Sequence, residues 1–392
     1  MKTIAGVTIH GLTSWPANTD LSPIVDIYRD GSNFKGVEES DSLESPLPAS
    51  VTAGAGLISS ITATPFTIPA KYFGAHFSNY TDPLPITCGT IRALDCGVSW
   101  HNIETSAGVH PSAAVEKLQA IIALAISGSR DLIYTVPFTP AWASSNPTSA
   151  GDGNGTGTAW CPASWTTLTD HVNYILGIMD AAGKTDCVIE GWNEPNTPDV
   201  YKDSIGNLVT HQQTIWDAVQ AYNAAHSTTF QVMCPSYTDG GGVSGATQSL
   251  DNFLAQGGGA YCDIIGYHIY TGGSPCGLII DLSIVDRVKT VMAARSVSGK
   301  ELWISEAGNS RVSELVSTNY IKRIFLYCAA KGVKRLCWYS YDHPGVPDMR
   351  LSNAVWAWEQ AVSLLSGKTV SWVNLLPGGK LAASIAGTAQ II

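Results

Sequence analysis

The chain has 392 residues, 45% of them hydrophobic and 14% charged, a composition that buries a large core and is unlike that of a disordered chain. Its 22 Lys and Arg against 32 Asp and Glu leave a formal charge of −10. An acidic chain repels phosphate backbones and anionic lipid at long range, so neither nucleic acid nor a membrane surface is an expected partner. No run of about 18 apolar residues is present to span a bilayer, which excludes a membrane-inserted helix.

Residues 1–65 are rich in Ser, Thr, Pro, Gly and Asp and contain short β-like runs such as IVDIYRD. The stretch VEESDSLESPLPASVTAGAG reads as a linker, and together these features predict a β-rich N-terminal arm. The first residues, MKTIAGVTIHGLTSWPANTD, lack the unbroken apolar segment of a signal peptide. From about residue 70, short apolar runs alternate with longer helical patterns. The strand candidates are KYFGAHF, GTIRAL, DLIYTV, CVIEGW, TFQVMC, DIIGYHIY, ELWISE and RLCWYS. SAAVEKLQAIIALAISG and TLTDHVNYILGIMDAAG place apolar residues at helical spacing, as do the stretches around QTIWDAVQAYNAA and LVSTNYIKRIFLYCAAKG. Apolar strands alternating with helices imply a parallel sheet covered on both faces, and eight such units favour an α/β fold of the closed (β/α)8 kind, a TIM barrel, over 66–366. Only about eleven residues separate AHF from GTIRAL, so the first unit is expected to be abbreviated. After a last helix, NAVWAWEQAVSLLSG, residues 367–392 alternate like short strands. They are expected to form a small β-rich accessory region with the N-terminal arm.

Nine cysteines occur without a CxxC pair, and several, such as Cys187 and Cys337, lie inside apolar strand runs. Buried free thiols are therefore expected, which leans toward a reducing compartment; a trimmed leader would instead make a secreted or virion-associated protein. The sequence shows no GxSxG, HExxH or P-loop, no GxGxxG after a strand, and no metal-ligand spacing.

Catalytic side chains of such barrels lie at the C-terminal ends of the strands. Strand four ends in Gly191-Trp192-Asn193-Glu194-Pro195 and strand seven in Ile304-Ser305-Glu306-Ala307-Gly308. Either Glu alone reads as a surface carboxylate. The two together face each other across an eight-stranded ring, and glycoside hydrolysis needs two carboxylates flanking the scissile bond, one protonated and one ionised.

The segments GTIRALDCGVSWHNIET, TPAWAS, WNEPN, IIGYHIY, WISEAG and CWYSYD, spread over residues 72–342, resemble the clan of retaining (β/α)8 glycosidases whose strand-four motif is Asn-Glu-Pro (clan A). Within it the chain is most similar to family 39-type enzymes, which include β-xylosidases, iduronidases and bacterial exopolysaccharide endoglycosidases. The resemblance implies that Glu194 is the acid/base and Glu306 the nucleophile. It implies that Asn193 bonds the sugar 2-hydroxyl, that Tyr270 bonds the nucleophile with His268 as partner, and that Arg92 stands near the nucleophile. It also implies an aromatic floor at Trp338, subsite aromatics at Trp142 and Trp100, and a substrate contact at His76. Plainer readings exist: a core histidine at His268, an ion pair of Arg92 with Asp95 or Glu104, and loop packing for Trp100 and Trp142. The chain departs from many relatives in having little material after the barrel, where they carry a β-sandwich. The implied activity is hydrolysis of β-linked poly- or oligosaccharides with retention, needing no metal or cofactor. Long loops after strands three and five incline the reading to endo action. The alternatives are a transglycosidase and an inactive carbohydrate-binding barrel such as a phage or surface adhesin.

Overall fold

The computed structural model describes the strand residues 2–4, 7–9, 24–30 and 33–38, and then residues 59–151, 154–239, 245–270, 278–308, 314–342, 354–375 and 381–392. Eight strands form the centre: β1 (Phe73–His76), β2 (Thr90–Ala93), β3 (Asp131–Thr135), β4 (Val188–Glu190), β5 (Gln231–Met233), β6 (Ile264–Tyr270), β7 (Glu301–Gly308) and β8 (Arg335–Trp338). Neighbours pair in parallel around the ring, β8 pairs with β1, and a Met233–Ile264 contact between β5 and β6 closes it. This is the closed barrel expected from the sequence. Helices α1 (Ser112–Ser127), α2 (Trp165–Ala181), α3 (Ile205–His226), α4 (Ala246–Ala255), α5 (Leu278–Ala294), α6 (Glu314–Ala330) and α7 (Ala354–Leu365) follow β2 to β8 in turn. No helix joins β1 to β2, so the first unit is abbreviated as anticipated.

Side-chain alternation along the strands separates two cores. Helices such as α2 bury Leu168, Val172, Ile175, Leu176 and Met179, an apolar stripe at helical spacing, against the outer face of the barrel. Inside, Ile133, Val188, Met233, Ile264, Trp303 and Cys337 form a separate buried cluster. Two residues further along the strands, the inward positions become polar yet stay buried: Thr135 follows Ile133, Glu190 follows Val188, and Ser305 follows Trp303. The barrel is thus apolar below and polar at its C-terminal mouth.

The strand Thr369–Leu375 pairs antiparallel with Leu381–Ile385 on one side and with Ser59–Thr62 and Phe66–Thr67 on the other. The end of the N-terminal arm and the C-terminal tail therefore share an accessory sheet, as the sequence suggested. Earlier in the arm, Lys2–Ile4 pairs with Val7–Ile9 and Ile24–Asp30 with Asn33–Glu38. The eight described cysteines are buried free thiols, and Cys276 lies outside the described residues. Among the described residues no helix is long and apolar enough to cross a membrane.

At the seam of the ring, Asp342 after β8 accepts hydrogen bonds from the Ser78 and Asn79 backbone N–H groups at 2.6 and 3.1 Å and from the Asn79 side chain at 3.1 Å. It ties the loop after β1 to the end of the barrel. Within the ring, a Cβ on Gly266 would stand 2.3 Å from Ser236 Oγ and 2.6 Å from Met233 Sδ. Gly266→Ala is expected to lower stability by about 1–3 kcal/mol through overpacking. Urea unfolding checks this, and an unchanged midpoint would contradict the packing described for the barrel interior.

Candidate active site

The chain leaves β4 through a sharp turn. Trp192 is buried, donates Nε1–H to the Val200 carbonyl at 3.1 Å, and meets Tyr201 and His211 edge-on. Glu194 has φ +45°, a left-handed conformation that costs a residue with a Cβ about 1–2 kcal/mol. Its neighbours hold it there. The Glu194 N–H donates to the Ser236 carbonyl at 2.8 Å, and Asn196 exchanges two hydrogen bonds with the Thr238 backbone. The turn lifts the Glu194 side chain, 20% exposed, to the mouth.

Arg92, at the inward face of β2 and fully buried, connects three strand ends. Its Nε donates to Glu190 Oε2 at 2.5 Å, its Nη1 to Glu306 Oε1, and its Nη2 to Asn193 Oδ1 at 2.9 Å. Glu190 also accepts from Thr135 Oγ at 2.7 Å and from Ser236 Oγ at 2.5 Å. Because Ser236 spends its proton on Glu190, the 2.9 Å contact between Ser236 and Ser305 has Ser305 as donor. Burial alone would neutralise the members of this cluster. It is overridden at Glu190, where Arg92 above all holds the carboxyl below the ordinary carboxylate range. Burial likewise opposes the charge on Arg92, but Glu190 and then Glu306 hold its pKa above the usual value.

Glu306 is 5% exposed and reaches the same space through an irregularity in β7. The pairing registers of β7 with both neighbours shift near Ser305, so Ser305 and Glu306, consecutive residues, both contact inward groups. Glu306 Oε2 accepts from Tyr270 Oη at 2.5 Å and lies 3.5 Å from His268 Nδ1, which is also 2.8 Å from Glu194 Oε1. Burial raises the Glu306 pKa, opposed by His268, Arg92 and Tyr270. His268 is itself neutral near pH 7, since burial pushes it down to about 4, so Arg92 and Tyr270 are the partners that favour the ionised Glu306. An oxygen of Glu194, an oxygen of Glu306 and a His268 nitrogen lie within 4.8 Å of one another. That spacing would suit a cation, but both Glu306 oxygens already accept from protein donors, and Arg92 supplies positive charge beside them.

The fold brings Glu194, Glu306, Asn193, Arg92, His268 and Tyr270 together at the mouth. Arg92 pairs with Glu190 and Glu306 rather than with Asp95 or Glu104, as the plainer reading had it. Other expected positions differ. Trp338 is buried in the helix-side core with Leu336, so it is no floor for a substrate. The next residue, Tyr339, turns inward instead: its ring meets His76 edge-on at 5.1 Å and its hydroxyl donates to Asp95 at 2.9 Å. A shift of one residue along a strand moves a side chain to the opposite face. Trp100 is no surface subsite either; it is fully buried, stacked on His171, and donates to Glu104 at 2.9 Å. His76 is buried and donates Nε2–H to the Ser305 carbonyl at 2.9 Å, supporting the irregular strand that carries Glu306 rather than facing substrate. Trp142 is half-buried and donates to the Glu104 carbonyl at 3.0 Å, beside a separate recess. Sequence reading missed Glu190, Thr135, Ser236 and Ser305; a carboxylate within the apolar run CVIEGW was the available signal.

Burial also depresses His171 and His211, each to about 3. The unfolded side chains titrate near 6.5, so the unfolded chain binds protons first as pH falls. The share of stability that depends on neutral His268, His171 and His211 is therefore complete above about pH 6.5 and is lost as pH falls toward 4. Neither ring nitrogen of His211 has a hydrogen-bond partner among the described residues. His211→Leu should make the loss of unfolding free energy between pH 6.5 and 4 shallower than in the wild type. An identical slope in both proteins would show that His211 does not titrate this way.

No curated protein sequence matches the chain. Among solved structures it resembles the GH39 enzyme of Xanthomonas axonopodis pv. citri, with a TM-score of 0.58 and 16% identity over 86% of this chain and 76% of that one. It also resembles CelM2, a bifunctional glucanase-xylanase from a metagenome library, at TM-score 0.55 and 12% identity over 82% and 85% of the two chains. A GH30 endoxylanase from Clostridium papyrosolvens C71 gives 0.53 and 15%, over 82% of each chain. At such identities the likeness establishes the barrel fold. The family model for the glycosyl hydrolase catalytic core matches residues 138–363, more than half of the sequence and including both Glu194 and Glu306. The chain belongs to the glycosyl hydrolase catalytic core family and is a glycosidase.

Proposed function

We propose that this glycosidase cleaves β-linked poly- or oligosaccharides by double displacement with retention, with Glu306 as nucleophile and Glu194 as acid/base. The observation that carries the reading is the short gap between the carboxylates, an oxygen of each lying within 4.8 Å of the other. Retaining enzymes hold the pair at about 5–5.5 Å, whereas inverting enzymes need about 6.5–9.5 Å to admit a water between sugar and base.

In the first step a Glu306 oxygen bonds to the anomeric carbon while the glycosidic C–O bond breaks. The bonding pair leaves with the departing oxygen, which takes the proton of Glu194. In the second step Glu194 removes a proton from water, whose oxygen displaces Glu306 from the sugar. Arg92 and Tyr270, each donating to one Glu306 oxygen, keep the nucleophile ionised and oriented. His268 directs the proton on Glu194. Its Nε2 is buried with no partner among the described residues, so a hydrogen there would be left without an acceptor. The ring therefore carries its hydrogen on Nδ1 and donates it to Glu194 Oε1, which disfavours protonation of Oε1 and turns the catalytic proton toward Oε2. Asn193, oriented by Arg92, is placed to bond the sugar beside the reacting carbon. The connections between Thr135 and Trp165 and between Met233 and Ala246 are long enough to wall a cleft, which favours endo action.

The test is proton NMR of products released from a panel of polysaccharides and aryl β-glycosides, with Glu306→Ala alongside. The wild type is expected to release the β-anomer first, and the variant to lose roughly a thousandfold or more of the rate. An initial α-anomer would assign inversion and remove the nucleophile role from Glu306.

A further inference from the structure

A second recess opens on the same face of the barrel, between the segment after β2, the segment after β3 and the first turns of α2. Its volume is about 250 Å³, and it is lined in part by Glu104, His110, Trp142, Asp170, His171 and Tyr174. Pockets for drug-sized ligands run to about 300–1,000 Å³, so this one matches a single sugar residue rather than a length of chain. The walls are aromatic. His110 stacks on Tyr174 at 3.6 Å, and Trp142 is held in place by its hydrogen bond to the Glu104 carbonyl.

The polar groups of the recess are short of a donor. His171 is fully buried, and its Nε2 lies 3.5 Å from Tyr134 Oη, whose own hydrogen goes to the Val98 carbonyl at 2.8 Å. The ring hydrogen therefore sits on Nε2, which leaves Nδ1 as a bare acceptor. Nδ1 has no hydrogen-bond partner among the described residues and lies 4.0 Å from Glu104 Oε2, a second acceptor. Glu104 Oε2 accepts from Trp100 Nε1 at 2.9 Å, and Oε1 from the Gly108 N–H at 2.9 Å. Asp170 adds an exposed carboxylate, and the lining contains neither Lys nor Arg. Two buried acceptors side by side call for a ligand that donates, and an anion would meet only repulsion.

We propose that this recess is a sugar-binding subsite distinct from the carboxylate pair, taking one neutral or amino sugar unit of a glycan and rejecting uronic acids. The sugar's hydroxyl or ammonium group donates to His171 Nδ1 and the Glu104 carboxylate, and its apolar face rests on the aromatic wall. The inference rests on the reading of the substrate as a glycan, but its test does not depend on cleavage.

The probe is fluorine NMR of Glu306→Ala protein labelled with 5-fluorotryptophan, the Trp142 signal being assigned by loss in Trp142→Phe. The titrants are cellohexaose, a glucosamine hexamer and hexagalacturonate. The Trp142 signal is expected to shift saturably with cellohexaose or the glucosamine hexamer and to stay fixed with hexagalacturonate. Tyr174→Ala should weaken the binding that moves it by about fivefold or more. Asp170→Asn, a surface change that leaves packing intact, should weaken the glucosamine hexamer more than cellohexaose, which separates the ammonium from the hydroxyl donor. A Trp142 signal unmoved by all three sugars, or moved equally by hexagalacturonate, would overturn the proposal. A shift at Trp142 combined with wild-type protein that cleaves nothing would count against the double-displacement reading and leave the subsite standing.

Discussion

One guanidinium holds the mouth of this barrel together. Arg92 is fully buried and donates to Glu190, Glu306 and Asn193 at once. A carboxylate taken from water into a protein interior stays charged only when paired and hydrogen-bonded, and breaking such a buried group by removing one member costs about 3–5 kcal/mol. Two carboxylates share one cation here: Arg92 holds the Glu190 carboxyl below its ordinary range, while burial pushes that of Glu306 up. An ionised Glu306 held rigidly in this buried site suits a reaction whose transition state carries positive charge at the anomeric carbon.

The surrounding architecture serves that cluster. The lower barrel is filled by apolar side chains, which puts the inward positions above them at the polar layer. Thr135 and Ser236 satisfy Glu190, Ser305 satisfies Ser236, and His76 holds the Ser305 backbone. Each donor in this chain is fixed by a partner on another strand of the ring, and the Ser305–Ser236 and His76–Ser305 contacts each reach past the strand between them. The result is a network in which the irregularity of β7, needed to bring Glu306 inward directly after Ser305, is supported from both sides. The left-handed turn at Glu194 is supported in the same way by the Ser236 carbonyl and Asn196.

What was legible in the sequence follows from this. Glu194 and Glu306 stand out because they end apolar strands at the fourth and seventh positions of the ring, and the alternation of strands with helices shows the barrel. The accessory sheet was legible as two β-like segments flanking that barrel. Glu190 was hidden because a carboxylate inside an apolar strand is recognisable only once its cation, far away in sequence on β2, is known to share its space. The exchange of Trp338 for Tyr339 at the mouth depends on which face of β8 turns inward. Periodicity cannot resolve that in a strand lined by apolar residues on both sides. The same holds for Ser305 and Glu306, since strict alternation would send one of them outward. Trp100 and His76 are polar-capped rings that packing, rather than exposure, accounts for.

The most direct test of the account is chemical capture of the nucleophile. The protein would be incubated with a panel of 2-deoxy-2-fluoro-β-glycosyl fluorides, which slow the second displacement, and then digested for peptide mass spectrometry. The account predicts a stable glycosyl adduct on Glu306. An adduct on Glu190 or Glu194 instead would contradict the arrangement in which Arg92 and Tyr270 prepare Glu306 for attack.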